Sequence, residues 1–180
     1  ERASARLKLV IPLTLAIILI LLYLSFGRIG ETLLIMLTLP LSLVGGFWYL
    51  HWLGYNLSVA TGVGFIALAG VAAETGIIML VYLDQALQKR LDTARIAERR
   101  VTLDELREAL LEGALLRVRP KIMTVGTVIV GLLPIMFSQG TGAEVMRRIA
   151  APMLGGMVSA TILTLVVIPA IYFVWKRQTL

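Results

Sequence analysis

A chain of 180 residues that is 58% hydrophobic, with a mean hydropathy of +0.89, carries more apolar side chains than its own core can bury, since soluble domains sit near about 45–50%. That balance excludes a soluble enzyme, and the absence of cysteine beside a single histidine excludes a disulfide scaffold and a thiolate or multi-histidine metal site. The formal charge of +6 would suit nucleic acid, but in a membrane protein basic residues mark the cytoplasmic ends of helices, so their placement decides.

The first apolar run extends from Val10 to Phe26 without a charge. It is too long for the hydrophobic region of a signal peptide and no small-residue cleavage site follows it. A tight hinge, Gly27-Arg28-Ile29-Gly30-Glu31, leads to a second run, Thr32 to Leu53, which carries Pro40 and the pair Gly45-Gly46. Membrane helices tolerate both where neighbours satisfy the backbone. The aromatic residues Trp48, Tyr49, Trp52 and Tyr55 at its end are the mark of a headgroup interface. The third run, Val59 to Leu83, is interrupted by one charge, Glu74. The fourth, Ile122 to Phe137, contains Pro134, and the fifth, Ile149 to Trp175, contains Pro152, Gly155-Gly156 and Pro169.

Between the third and fourth runs the composition changes. Asp84 to Arg119 holds eight of the 17 basic residues and seven of the 11 acidic ones, and such mixed signs argue against a nucleic-acid patch. Thr102 followed three residues later by Glu105 reads as a capping box that opens a helix. Leu103, Leu106, Leu110, Leu111 and Leu115 then recur at helical spacing, which predicts one apolar face lying on the membrane or against the bundle. A plain solvated connector is the competing reading. Residues 84–101 show weaker periodicity. The expected fold is therefore an all-α membrane protein with five transmembrane helices, at about 8–27, 32–53, 58–83, 120–140 and 148–175. A cytoplasmic linker at 84–119 includes the amphipathic helix.

Orientation follows from the loops. Arg28, the basic linker and Lys176-Arg177 fall on one side of five alternating spans, while the loop from His51 to Ser58 has no Lys or Arg. The positive-inside rule places the first group in the cytoplasm, so the N-terminus is expected to be periplasmic and the C-terminus cytoplasmic. Arg2, Arg6, Lys8, Arg147 and Arg148 run against the rule. With Glu1 first and no Met, the sequence is expected to be the C-terminal piece of something longer.

Glu74 is the sharpest chemical signal. It lies about nine residues, or roughly 14 Å of helix rise, from the cytoplasmic end of its span. A carboxylate at that depth costs at least about 2.5 kcal/mol and by default faces a cavity or a partner. A proton relay is the functional reading, and a carboxyl neutralised by a helix–helix hydrogen bond the structural one. Lys121, at the entry to span four, reads first as a snorkelling anchor, although its stem could also reach a carboxylate in a neighbouring span. Most of the seven methionines are packing. Met146 differs because it lies in the short outer segment GTGAEVMRRIAAPM, near one helical stripe with Met153 and Met157, and thioethers suit Cu(I). His51 reads as a headgroup contact. GTGAE lacks the phosphate-loop Lys, and no nucleophile, histidine and acid constellation suggests hydrolysis, so no enzyme and no cofactor are expected.

Three blocks, YNLSVATGVGFIALAGVAAETGIIMLVYL, LRVRPKIMTVGTVIVGLLPI and GTGAEVMRRIAAPMLGGM, closely resemble the heavy-metal branch of the resistance-nodulation-division efflux pumps. The resemblance covers nearly the whole chain and corresponds to the last five of twelve transmembrane helices. Glu74 in GVAAE, Lys121 in RPK and Met146 in GAEVM place it nearer the copper/silver, Cus-type, pumps than the zinc/cobalt/cadmium type. The resemblance implies a homotrimer in the bacterial inner membrane, driven by proton influx, that exports Cu(I) or Ag(I) through a periplasmic adaptor and an outer-membrane channel. It implies a proton relay through Glu74 and Lys121, completed by acidic residues on an N-terminal-half helix, and a metal contact at Met146. Two other functions compete with it: a related pump for divalent metals or organic toxins, and a membrane scaffold that transports nothing.

Overall fold

The computed structural model describes residues 2–98 and 101–178, with the side chains of residues 2–9 and 11 outside that description. Arg99 and Arg100 of the expected linker, and the side chains of Arg2, Arg6 and Lys8, therefore lie outside the described residues. Helix α1 runs Arg2–Phe26, α2 Ile29–Trp52, α3 Val59–Ile96, α4 Leu103–Phe137 and α5 Ala143–Ile162. A π-helical turn, Leu163–Val167, joins α5 to α6, Ile168–Arg177. Four stretches (α2, α3, α4 and the continuous Ala143–Arg177) are long and apolar enough to cross a membrane, and Pro12–Phe26 within α1 is a shorter apolar helix.

The region between spans three and four departs from expectation. Residues 84–96 continue α3 without a break, and α4 runs unbroken from the expected amphipathic segment through Pro120 into the fourth apolar run. Proline removes one backbone bond and crowds the preceding turn, but packing on α3 holds the part of α4 that precedes Pro120. A Cβ added at Gly113 would lie 3.0 Å from the Tyr82 carbonyl oxygen, and Leu106, Ala109 and Leu110 are buried. Tertiary contact overrides the local breaker. The expected apolar face is correspondingly narrower: Leu106 and Leu110 are buried, whereas Leu103, Leu111 and Leu115 are exposed. The start of α4 is as expected. Thr102 Oγ1 accepts from the Glu105 amide at 3.3 Å, and Glu105 Oε2 accepts from the Thr102 amide at 3.0 Å.

Helices α2 and α5 approach most closely, and glycine makes that possible. A Cβ at Gly45 would lie 2.6 Å from the Gly155 carbonyl oxygen, and one at Gly46 2.8 Å from the Pro152 carbonyl oxygen. Ser159 Oγ donates to the Ser42 carbonyl at 2.8 Å across this seam. Small residues at such crossings replace the hydrophobic drive that lipid cannot supply. Leu68, Val125 and Met157 join α3, α4 and α5, while Leu83, Leu87, Leu106, Leu110, Ile168 and Tyr172 belong to a larger cluster near the basic end. Helix α1 is held loosely, with Leu22 its one buried residue among the described side chains.

The π turn has a local cause. Pro169 has no amide to give to the Leu165 carbonyl, so the helix widens just before it, and the Ile168 amide donates instead to the Leu163 carbonyl.

Candidate functional site

Glu74 lies on an exposed edge of α3 that also carries Val63, Ile66 and Gly70. The opposite edge of α3, through Gly64, Leu68, Ala72 and Met79, is buried in the bundle. The carboxylate therefore points out of the five-helix unit and not into its core. In hydrocarbon such a group needs a water path or a partner helix.

Lys121 sits differently from the snorkelling anchor that its sequence context suggests. It is 2% exposed, and its Nζ is buried without a hydrogen-bond partner among the described residues. The charges of Arg117 and Glu74 are those whose fields act on it. An ammonium enclosed without a counter-charge costs several kcal/mol, and Glu74 is the acidic group whose field reaches it. Arg117 stacks its guanidinium 5.2 Å from the Tyr82 ring centre, at the level where α3 and α4 leave the apolar zone. Glu74 on α3 and Lys121 on α4 are within electrostatic reach of each other but form no ion pair among the described residues.

Met146 is set apart from them. It occupies the first turn of α5 and is half exposed. Gly64 of α3 meets the Ile149 carbonyl of α5, so Glu74 lies ten residues, about 15 Å of helix rise, further along α3 than that contact. Of the other two methionines on its stripe, Met153 is partly buried and Met157 is fully packed against Leu68 and Val125. Among the described residues no group of three or more His, Cys, Asp or Glu could hold a metal ion. Arg147 and Arg148, which run against the charge rule, are engaged locally. Arg147 donates to the Ser138 carbonyl, and Arg148 pairs with Glu144 at 2.6 Å and covers the Tyr55 ring.

One constellation escaped the sequence. Glu31, 2% exposed, accepts from Arg28 at 3.1 Å and lies 3.9 Å from Lys176 Nζ. Asp84 accepts from Tyr172 Oη at 3.0 Å and from Arg28 at 3.3 Å. The knot ties α2, α3 and α6 together at the basic end. The Glu31 hydrogen bond and charge, helped by Asp84, raise the Arg28 pKa above its ordinary value. The i, i+3 spacing of Arg28 and Glu31 was a legible signal, whereas Tyr172 and Lys176, nearly 150 residues away, had none.

Residues 1–176 match the AcrB/AcrD/AcrF family. The chain is 55% identical to the putative cation efflux system protein SilA of Salmonella typhimurium over 179 residues, covering 99% of this chain and 17% of that protein. It is 56% identical over 181 residues to the cation efflux system protein CusA of Escherichia coli K12, with the same shares of each chain covered. The cobalt-zinc-cadmium resistance protein CzcA of Cupriavidus metallidurans is 37% identical, with 99% of this chain and 16% of that protein covered. A crystal structure of a heavy metal efflux pump superposes with a TM-score of 0.82 at 36% identity, covering 98% of this chain and 16% of that one. The chain thus spans about a sixth of the length of the relatives it matches.

Proposed function

Because the chain belongs to the AcrB/AcrD/AcrF family, we propose that it is the C-terminal membrane part of a proton-driven Cu(I)/Ag(I) efflux pump. Such a pump is a secondary transporter and catalyses no covalent chemistry. In this reading α1 to α4 and the continuous α5–α6 are five spans, and the cytoplasmic ends of α3 and α4 form a helical hairpin. The chain enters from the periplasmic side and ends in the cytoplasm of a bacterial inner-membrane protein. The assembly is a homotrimer that works with a periplasmic adaptor and an outer-membrane channel.

The observation that carries the relay is the buried Lys121 ammonium, without a hydrogen-bond partner among the described residues, in the field of an outward-facing Glu74. When Glu74 is ionised it offsets the Lys121 charge. When it takes up a proton from the outer side, Lys121 loses that offset and the α3–α4 pair is pushed toward another arrangement. Coupling needs such an element, one whose two states differ in their affinity for the proton. Cu(I) or Ag(I) in place of a divalent ion is supported by the thioether at Met146. Identities of 55% and 56% to two cation efflux proteins support a metal-ion cargo.

The test uses the full-length protein. Glu74→Gln keeps the size and polarity of the side chain and removes its titration, so assembly should persist while metal resistance of the host is lost. Undiminished metal-dependent proton transport by the Glu74→Gln protein in proteoliposomes would end the relay.

A further inference from the structure

Between the first turns of α4 and helix α6 runs an open groove of about 350 Å³ that the relay does not use. Its walls are apolar, formed by Leu111 and Ala114 on one side and by Val166, Pro169 and Phe173 on the other. At its cytoplasmic mouth stands Arg107. The geometry points to a seat for an anionic phospholipid of the cytoplasmic leaflet, with one acyl chain in the groove and its phosphate on Arg107. The inference rests on the membrane orientation proposed above.

Arg28 is held by Glu31 and Asp84, Arg90 by Glu108 and Glu112, and Lys176 by Glu31. Arg107 is exposed and has no ion pair or side-chain hydrogen bond among the described residues, although Asp104 stands one turn before it and Glu108 beside it. A guanidinium in this position presents a planar fork that fits a phosphate bidentately. Basic pockets between helices on the cytoplasmic side are suited to anionic headgroups, because that leaflet carries the negative surface potential.

The groove supplies the other half. Its volume is at the small end of the roughly 300–1,000 Å³ of ligand sites, enough for a length of acyl chain and too apolar for a hydrated anion. Leu111 and Val166 are each more than half exposed, so the groove opens sideways toward lipid. The two helices run antiparallel. Arg107 and Phe173 therefore mark one end of the groove, and Ala114 and Val166 the deeper end. Headgroup outward and chain inward is the arrangement a leaflet lipid already has.

The experiment takes the full-length protein in detergent and titrates it with dioleoyl phosphatidylglycerol or dioleoyl phosphatidylcholine. Retained lipid is counted by native mass spectrometry. The unaltered protein should retain more phosphatidylglycerol than phosphatidylcholine. Arg107→Gln should weaken phosphatidylglycerol retention about tenfold, the loss of one charge-assisted contact, and leave phosphatidylcholine unchanged. Ala114→Phe and, independently, Ala170→Phe fill the groove with Arg107 intact and should lower retention of both lipids. Inorganic phosphate at millimolar concentration should not displace the lipid. Phosphatidylglycerol retention that survives Arg107→Gln, or survives both groove-filling variants in monodisperse protein, overturns the proposal, as does displacement by phosphate. Metal resistance of the same variants reads the pump separately, so a pump with intact export and no lipid preference defeats only the groove.

Discussion

Among the described residues two charged side chains of opposite sign, Glu31 and Lys121, are buried, and the fold treats them in opposite ways. Glu31, at the basic end, is enclosed with Arg28 and Lys176, while Asp84 and Tyr172 complete a knot across three helices. Lys121, on the α3–α4 pair, is just as buried and has no hydrogen-bond partner among the described residues. A charge enclosed by its own partners fixes a geometry, because moving it breaks several bonds at once. A buried charge whose counter-charge faces outward leaves its energy dependent on whether that counter-charge is ionised. The first arrangement suits a clamp and the second suits a coupling element.

The largest effect expected from breaking this contrast is on transport. Lys121→Met in the full-length pump replaces an unpaired ammonium with an apolar chain of similar length, so the melting temperature should hold or rise. Metal resistance should fall as far as for Glu74→Gln. A Lys121→Met pump with full resistance would reduce Lys121 to a bystander.

At the clamp the expectation reverses. Glu31→Gln leaves Lys176 and part of Arg28 without a counter-charge, which should cost about 2 kcal/mol. Fully buried pairs cost about 3–5 kcal/mol to break, and the figure is lower here because Arg28 is half exposed and can return to water. The melting temperature in detergent should drop by several degrees, with residual resistance in proportion to the protein that remains folded. Complete loss of transport at an unchanged melting temperature would assign Glu31 to the relay instead.

A smaller effect sharpens the separation of Met146 from the relay. Met146→Ile keeps volume at a half-exposed site, so stability should hardly move. Copper and silver tolerance should fall in part, while Met157→Leu stays near neutral for both. Equal losses at Met146, Met153 and Met157 would mean packing and not metal contact. The smallest effect lies at the start of α4. Thr102→Ala removes one half of the capping box and should cost about 1 kcal/mol, read as faster amide exchange in the first turn of α4 with transport unchanged.

How much of this was legible differs by scale. The apolar runs, the capping box at Thr102 and the exceptional carboxylate Glu74 are local patterns, because lipid demands long uninterrupted helices and makes any ionisable residue within them conspicuous. Lys121 was half legible. Its charge stood out, but beside Arg117, Arg119 and Pro120 it looked like one more interfacial anchor, and only the packing of α4 on α3 turned Nζ inward. The pairing of Tyr172 with Asp84 was not legible at all, since helices joined by long intervals leave no periodicity that records their register.

Local pattern alone was enough for an all-α chain of membrane-length apolar segments, for the start of α4 at Thr102, and for the rarity of charge within those segments. Each depends on interactions within a few residues of the chain or on solvent alone. Tertiary structure decided the rest. It carried α3 and α4 past their expected ends, because Leu83 and Leu87 could be buried against Leu106 and Leu110. It closed the Glu31 knot and enclosed Lys121 without a hydrogen-bond partner among the described residues, in the fields of Arg117 and Glu74. These outcomes depend on which faces meet across the bundle. Close glycine crossings such as Gly45 on Gly155 set that, and no stretch of a single helix specifies it.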